Sequence, residues 1–170
     1  MSCCLERIIM ADFSQQFRDA MAHLSASVHI VTSNGEAGKI GITVSSVTSV
    51  SDSPPTLLFC VNQQSELHDI LKRNGEVCVN VLNHEQADLA KHFAGMENST
   101  MEERFSWDIW SENEKGIPKL DTAIANLEGK IVEMYAVGSH TIFIVALSAI
   151  QSTPNHSLVY FARQFKTVKI

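Results

Sequence analysis

The sequence predicts a mainly β, α+β fold: a small, mostly antiparallel barrel with a few flanking helices. Three observations in its 170 residues point there. About six segments rich in Val, Ile, Thr and aromatics are punctuated by Gly, Pro and Asn turn signals, while only two or three segments carry helical periodicity. The last third is almost entirely β-like. The regular strand–helix alternation of a doubly wound sheet is missing. A chain of this length forms one domain with a sizeable core, expected over 12–170, with 1–11 as an N-terminal extension.

Phe13, Phe17, Ala20, Met21 and Leu24 recur at helical spacing, so 12–24 reads as an amphipathic helix with Asp12 as its N-cap. Residues 27–33 switch to β-branched alternation, Asn34-Gly35 marks a turn, and 39–46 reads as the return strand of a hairpin. Gly38 and Gly41 let a backbone or a ligand come close. Pro54-Pro55 breaks the sheet. The apolar run 56–62 then suggests a strand buried on both faces. Residues 65–73 form a short helix ended by Asn74-Gly75, and 76–82 another strand. Asn83 and Gln86 read as a capping box for a helix that Gly95 ends. The stretch 96–119 is the least periodic, with one helical turn at 101–105; an excursion of this size is more often functional or interfacial than idle. Two long strands, 123–137 and 141–151, join through Gly138-Ser139-His140, and 157–161 is the last.

Several function classes are excluded. A net charge of −6 without a basic cluster argues against nucleic acid or an anionic membrane as main partner. No apolar run approaches the roughly 20 residues that span a bilayer, and the first residues lack a signal-peptide pattern, so a cytoplasmic location is expected. Cys3 and Cys4 are adjacent, Cys60 and Cys78 stand alone in apolar strands, and no disulfide framework appears. The seven histidines include no pair at i, i+4, and no metal site is expected. There is no Gly-x-Ser-x-Gly elbow, no Walker sequence and no Gly-x-Gly-x-x-Gly before a helix.

Polar groups at strand ends remain. Between Lys39 and Pro55 lie seven hydroxyl residues, Thr43, Ser45, Ser46, Thr48, Ser49, Ser51 and Ser53, set among valines. Uncharged hydroxyls of this kind can hydrogen-bond a phosphate or a polar ring edge, or simply form a Ser/Thr-rich strand pair. Asn62 to Ser65, Asn80 to Asn83, the Gly138-Ser139-His140 corner, and Tyr160, Arg163 and Phe165 complete the set. Each has a structural reading as cap, turn or corner. Together they are what a small-molecule pocket in a barrel needs.

These residues also carry a resemblance. Phe17-Arg-Asp-Ala-Met21, Val28-His-Ile-Val-Thr32, Gly41-Ile-Thr-Val-Ser-Ser46 and Ser49-Val-Ser-Asp-Ser-Pro-Pro55 resemble the flavin reductase family. So do Cys78-Val-Asn-Val-Leu-Asn-His-Glu-Gln86, His92-Phe-Ala-Gly95, Met101-Glu-Glu-Arg-Phe105, Gly138-Ser-His140 and Leu158-Val-Tyr-Phe161. The likeness runs from about 12 to 166 and is greatest to reductase components of two-component aromatic hydroxylases of the 4-hydroxyphenylacetate type. Pyrimidine-utilisation flavin reductases come next.

The resemblance implies a Greek-key split β-barrel of the FMN-binding type, a homodimer, and reduction of FMN or FAD by NADH or NADPH. A partner monooxygenase would receive the reduced flavin by diffusion. It implies that Thr43, Val44, Ser45 and Ser46 line the flavin, that Cys60, Val61 and Asn62 lie along its ring edge, and that Ser65 sits near the phosphate. Phe93 and Ala94 would cover part of the ligand, His140 would face the nicotinamide as the catalytic-site residue, and Tyr160 and Arg163 would border the cleft. Ser139 departs from the Asp or Thr that relatives often carry. Two other classes are a pyridoxamine-phosphate-type oxidase, which would need a cationic phosphate site, and a flavin-binding protein without turnover.

Overall fold

The structure, a computed structural model, describes the backbone of residues 2–170 and the side chains of residues 12–170. The side chains of the expected extension, Cys3 and Cys4 among them, lie outside the described residues. Helix α1 (Ser2–Met21) runs through the expected boundary, so Asp12 is inside a helix and not its N-cap. The apolar positions Phe13, Phe17 and Met21 and, just beyond the helix, Leu24 are exposed.

The strands are β1 (Ala26–Ser27), β2 (His29–Ser33), β3 (Ile40–Val44), β4 (Thr48–Asp52), β5 (Pro55–Asn62), β6 (Glu76–Val81), β7 (Trp110–Glu112), β8 (Pro118–Leu120), β9 (Ala125–Val137), β10 (His140–Ser152), β11 (Ser157–Phe161) and β12 (Gln164–Val168). Three further helices are α2 (Glu66–Asn74), α3 (Ala87–Phe93) and α4 (Met101–Ser106). Seven strands form one antiparallel sheet in the order β3-β2-β6-β9-β10-β5-β4. Its two edge strands, β3 and β4, are separated by only Ser45, Ser46 and Val47. Four peptide steps reach at most about 14 Å, so the sheet must curl until its edges nearly meet, which makes a split barrel.

The barrel interior holds Val31, Phe59, Val61, Val79, Phe143 and Val145, with the Phe59 and Phe143 rings stacked at 5.2 Å. Helix α2 packs Leu67, Ile70 and Leu71 onto this core. Its ends follow the local rules: the Ser65 hydroxyl accepts the Leu67 N–H, and Gly75 terminates it at φ 72°. A second core of Val28, Ile30, Leu82, Phe93, Leu120 and Leu158 lies between the barrel wall, α3 and the small sheet β1-β11-β12.

Four expectations change. Strand β5 alternates instead of burying both faces, with Leu57, Phe59 and Val61 inward. Asn83 and Gln86 make capping-box bonds, since Gln86 Oε1 accepts the Asn83 N–H at 2.8 Å, but α3 starts only at Ala87. The aperiodic stretch contains the hairpin β7–β8 as well as α4. Gly41 admits neither backbone nor ligand: a Cβ there would meet the Phe93 ring at 2.5 Å, so the glycine exists to seat an aromatic side chain.

Asn80 is not at a pocket. Fully buried, it donates through Nδ2 to Ile30 O at 2.9 Å and accepts the Leu120 N–H at 2.8 Å and Asn126 Nδ2 at 2.9 Å. It therefore ties the β8 end of the outer hairpin to the barrel wall. Asn83 likewise donates to Thr122 O at 2.8 Å.

Candidate functional site

The site is built where the two sheet edges approach. Ser46 closes the gap: its hydroxyl accepts the Cys60 N–H at 3.0 Å and lies 3.2 Å from Cys60 O. The antiparallel register then sets His140 opposite Asn62 and Ile142 opposite Cys60. Ser46, Cys60, Asn62 and His140 thus form one strip, with Ser46, Asn62 and His140 exposed and Cys60 half-buried. Among these four side chains there is no lysine, arginine or carboxylate. Asn62 Oδ1 accepts the Gln64 N–H at 2.9 Å and shapes the turn that leads to Ser65, the N-cap of α2.

On the other side of Ser45 the strip opens into a cleft of about 140 Å³. Thr43, Val44, Ser45, Ala94 and Tyr160 line it, together with Val28, Met96 and Phe165. Thr43 is anchored, its hydroxyl donating to Ala90 O at 2.7 Å, which fixes β3 against α3. Tyr160 meets Phe165 edge-on at 5.3 Å. The combination is an apolar wall with a hydroxyl rim. A planar heteroaromatic ring with a polar tail suits such a surface, the ring on the apolar wall and the tail on the hydroxyls.

Ten of the expected residues therefore fall into two adjoining groups that meet at Ser45-Ser46: Thr43, Val44, Ser45, Ala94 and Tyr160 around the cleft, and Ser46, Cys60, Asn62, Ser65 and His140 along the strip. Three others behave differently. Phe93 is 2% exposed, its ring held by Gly41, Phe105 and Trp110, so it supports the cleft from beneath and does not cover a ligand. Val61 points into the barrel core and offers the strip only its backbone. Arg163, in the β11–β12 turn with φ 60°, pairs with Asp19 of α1, and its guanidinium holds that carboxyl below the usual carboxylate range.

Val28 and Met96 went unread in the sequence. Val28 sits at the break between β1 and β2, and Met96 follows Gly95, which turns the chain at φ 72°. Met96 lies in the aperiodic stretch, and the β-branched alternation of 27–33 marks Val28 as strand without showing that it faces a cleft.

A larger cavity, about 590 Å³, lies elsewhere, beside Glu76, Glu112, Glu114 and Glu128 together with Lys115 and Lys119. Its four carboxylates outnumber its two ammonium groups, an unfavourable setting for an anionic ligand, and it contains none of the expected site residues. Among the described residues no group of His, Cys, Asp or Glu could hold a metal ion, and no helix is long and apolar enough to cross a membrane.

Ser46→Ala is expected to weaken flavin affinity about fivefold to tenfold, because the Cys60 N–H loses its partner and the strip its fixed edge. Fluorescence titration of FMN checks this, with circular dichroism confirming the fold; unchanged affinity would remove Ser46 from the site.

Residues 21–169 match the family model described as the flavin reductase like domain. The 4-hydroxyphenylacetate 3-monooxygenase reductase component of Pseudomonas aeruginosa is 49% identical over 152 residues, 89% of each chain. FMN reductase (NADH) of Serratia proteamaculans is 40% identical over 155 residues, 91% of this chain and 87% of the relative. Among solved structures, the NADH:FAD oxidoreductase of Streptomyces globisporus in complex with NAD and FAD fragments superposes with a TM-score of 0.82 at 31% identity, covering 90% of this chain and 91% of the other.

Proposed function

Because this chain belongs to the flavin reductase family, we propose that it is the reductase component of a two-component 4-hydroxyphenylacetate 3-monooxygenase. It reduces FMN or FAD with NADH and supplies the reduced flavin to the oxygenase. The observation that carries this reading is the strip of Ser46, Cys60, Asn62 and His140, without a lysine, arginine or carboxylate among them, beside the apolar cleft. A reductase of this kind must release its flavin, and a set of hydroxyl and amide partners holds a phosphate less tightly than an Arg or Lys clamp. Ser46, Cys60, Asn62 and His140 include no paired acid and base, which fits the same chemistry.

Hydride transfer between nicotinamide and flavin needs no protein nucleophile, since the two reactants supply the chemistry. The chain contributes position. Ser45 and Ser46 bind the ribityl and phosphate portion, Thr43 lines the cleft while its hydroxyl holds β3 against α3, and Val44, Ala94 and Tyr160 shield one side of the ring from water. Asn62 and the Cys60 backbone face its polar edge, and His140 holds the nicotinamide. Bringing the reacting atoms to about 3–3.5 Å supplies much of the rate.

The site is completed in a homodimer. The outer half of the β9–β10 hairpin supports that assembly, because it leaves Val132, Met134, Tyr135 and Val137 exposed. Apolar patches of this kind mark interaction surfaces.

Mixing the protein with NADH and excess FMN or FAD tests the activity through loss of nicotinamide absorbance. Many turnovers per chain are expected; a single stoichiometric change, or none, would select a flavin-binding protein without turnover. His140→Ala is expected to raise the NADH KM about tenfold and the flavin KM less than threefold, as removal of a ground-state binding contact does. The reverse order would assign His140 to the flavin.

A further inference from the structure

Three hydrogen-bonding contacts converge on the corner between β9 and β10. The Gln63 main-chain N–H donates to Ser139 O at 2.9 Å, and its side-chain Nε2 donates to His140 O at 2.9 Å. The Ser139 hydroxyl lies 2.9 Å from His140 Nδ1. The corner itself is a two-residue turn, Gly138-Ser139, with Gly138 at φ 56° and every side chain exposed. A hairpin tip of this kind is ordinarily among the most mobile parts of a fold.

Gln63 stands out among its neighbours. Asn62 spends its side-chain oxygen on Gln64 N, and Ser65 spends its hydroxyl on Leu67 N, so both serve their own turn and helix. Gln63 reaches instead across 77 residues of sequence to the segment that carries the imidazole. An exposed hydrogen bond contributes little to global stability. Its consequence here is placement, because it locks the first residue of β10 to the turn that follows β5.

We propose that Gln63 is a positioning residue, which clamps the His140 backbone so that the imidazole stays over the strip where a nicotinamide ring would stack. The inference rests on the role given to His140 above. It gives the loop after β5 two tasks: Asn62 and Ser65 shape the turn and the start of α2, and Gln63 holds the residue that meets the hydride donor.

Gln63→Leu removes the donor and ends one atom short of its position. In the otherwise natural chain it is expected to raise the NADH KM about fivefold, the size of one hydrogen bond, while kcat and the FMN Kd stay within about twofold. In a His140→Ala background the same substitution is expected to change the NADH KM less than about twofold, because the group it positions is gone. A fivefold effect in both backgrounds overturns the positioning role, as does no effect in the natural chain. If His140→Ala raises the NADH KM and Gln63→Leu does not, only the role of Gln63 falls. An NADH KM indifferent to His140→Ala overturns the reading of His140 and the inference with it.

Discussion

Asn80→Ala is expected to destabilise the protein by about 3–5 kcal/mol, the range for breaking a buried hydrogen-bond network. Truncation leaves the Leu120 N–H and Ile30 O short of a partner in the interior, where Asn80 has no exposed surface, and leaves the Asn126 amide only its bond to Leu120 O. Each orphaned group costs about 1–3 kcal/mol. For a chain of this size the loss corresponds to a fall in Tm of about 10 °C. Because Asn80 joins the barrel wall to Leu120, the β7–β8 hairpin should detach first. Hydrogen exchange would then show β8 amides losing protection before those of β6. A loss under about 1 kcal/mol would mean that water enters and replaces the side chain.

Lowering the pH should remove about 3 kcal/mol through one histidine. His29 is buried on β2, its Nδ1 without a partner, and burial pushes its pKa from 6.5 down to about 4 against weaker opposing contacts with the Val44 and Ser27 backbone. Between pH 6.5 and about 4 the unfolded chain therefore takes up a proton that the folded chain refuses. Stability from this group is complete above pH 6.5 and falls by about 1.4 kcal/mol per pH unit through that window. Urea midpoints at pH 7 and pH 4.5 for the natural chain and His29→Leu would measure it. The natural chain should lose about 2.4 kcal/mol more than the variant across that interval. Equal losses would show that water or a rearranged ring satisfies the imidazolium.

The parts of the fold legible in the sequence are those whose causes are local. Helix α2 could be read almost to its end residues, because Ser65 and Gly75 cap it by contacts within a turn. The hairpin β2–β3 followed from Asn34-Gly35 and β-branched alternation. Strand β4 has five exposed residues and so no alternation to betray it. Strands β7 and β8 are three residues each and are held from outside by Asn80, a dependence no window of sequence displays.

The candidate site divides in the same way. Its hydroxyl run was visible as composition, yet composition does not tell that Thr43 is spent on Ala90, or that Ser46 joins two strands. Phe93 looked like a ligand contact beside Ala94, but only the absence of a Cβ at Gly41 shows where its ring goes. That His140 stands beside Asn62 depends on strand register, which is set by pairing across the barrel.

The order of strands in the main sheet also has a consequence for biosynthesis. Strand β5 finds its central neighbour only in β10, and Gln63 and His140 are 77 residues apart. At about 5–20 residues per second, roughly 4–15 s pass after β5 is made before its partner exists. During that interval Leu57, Phe59 and Val61 belong to a strand without its principal mate, and β4 can cover only one edge. Barrel closure must wait for the C-terminal third of the chain. A ribosome stalled before β10 would thus hold a sticky, inactive nascent chain, and chaperone demand should peak there.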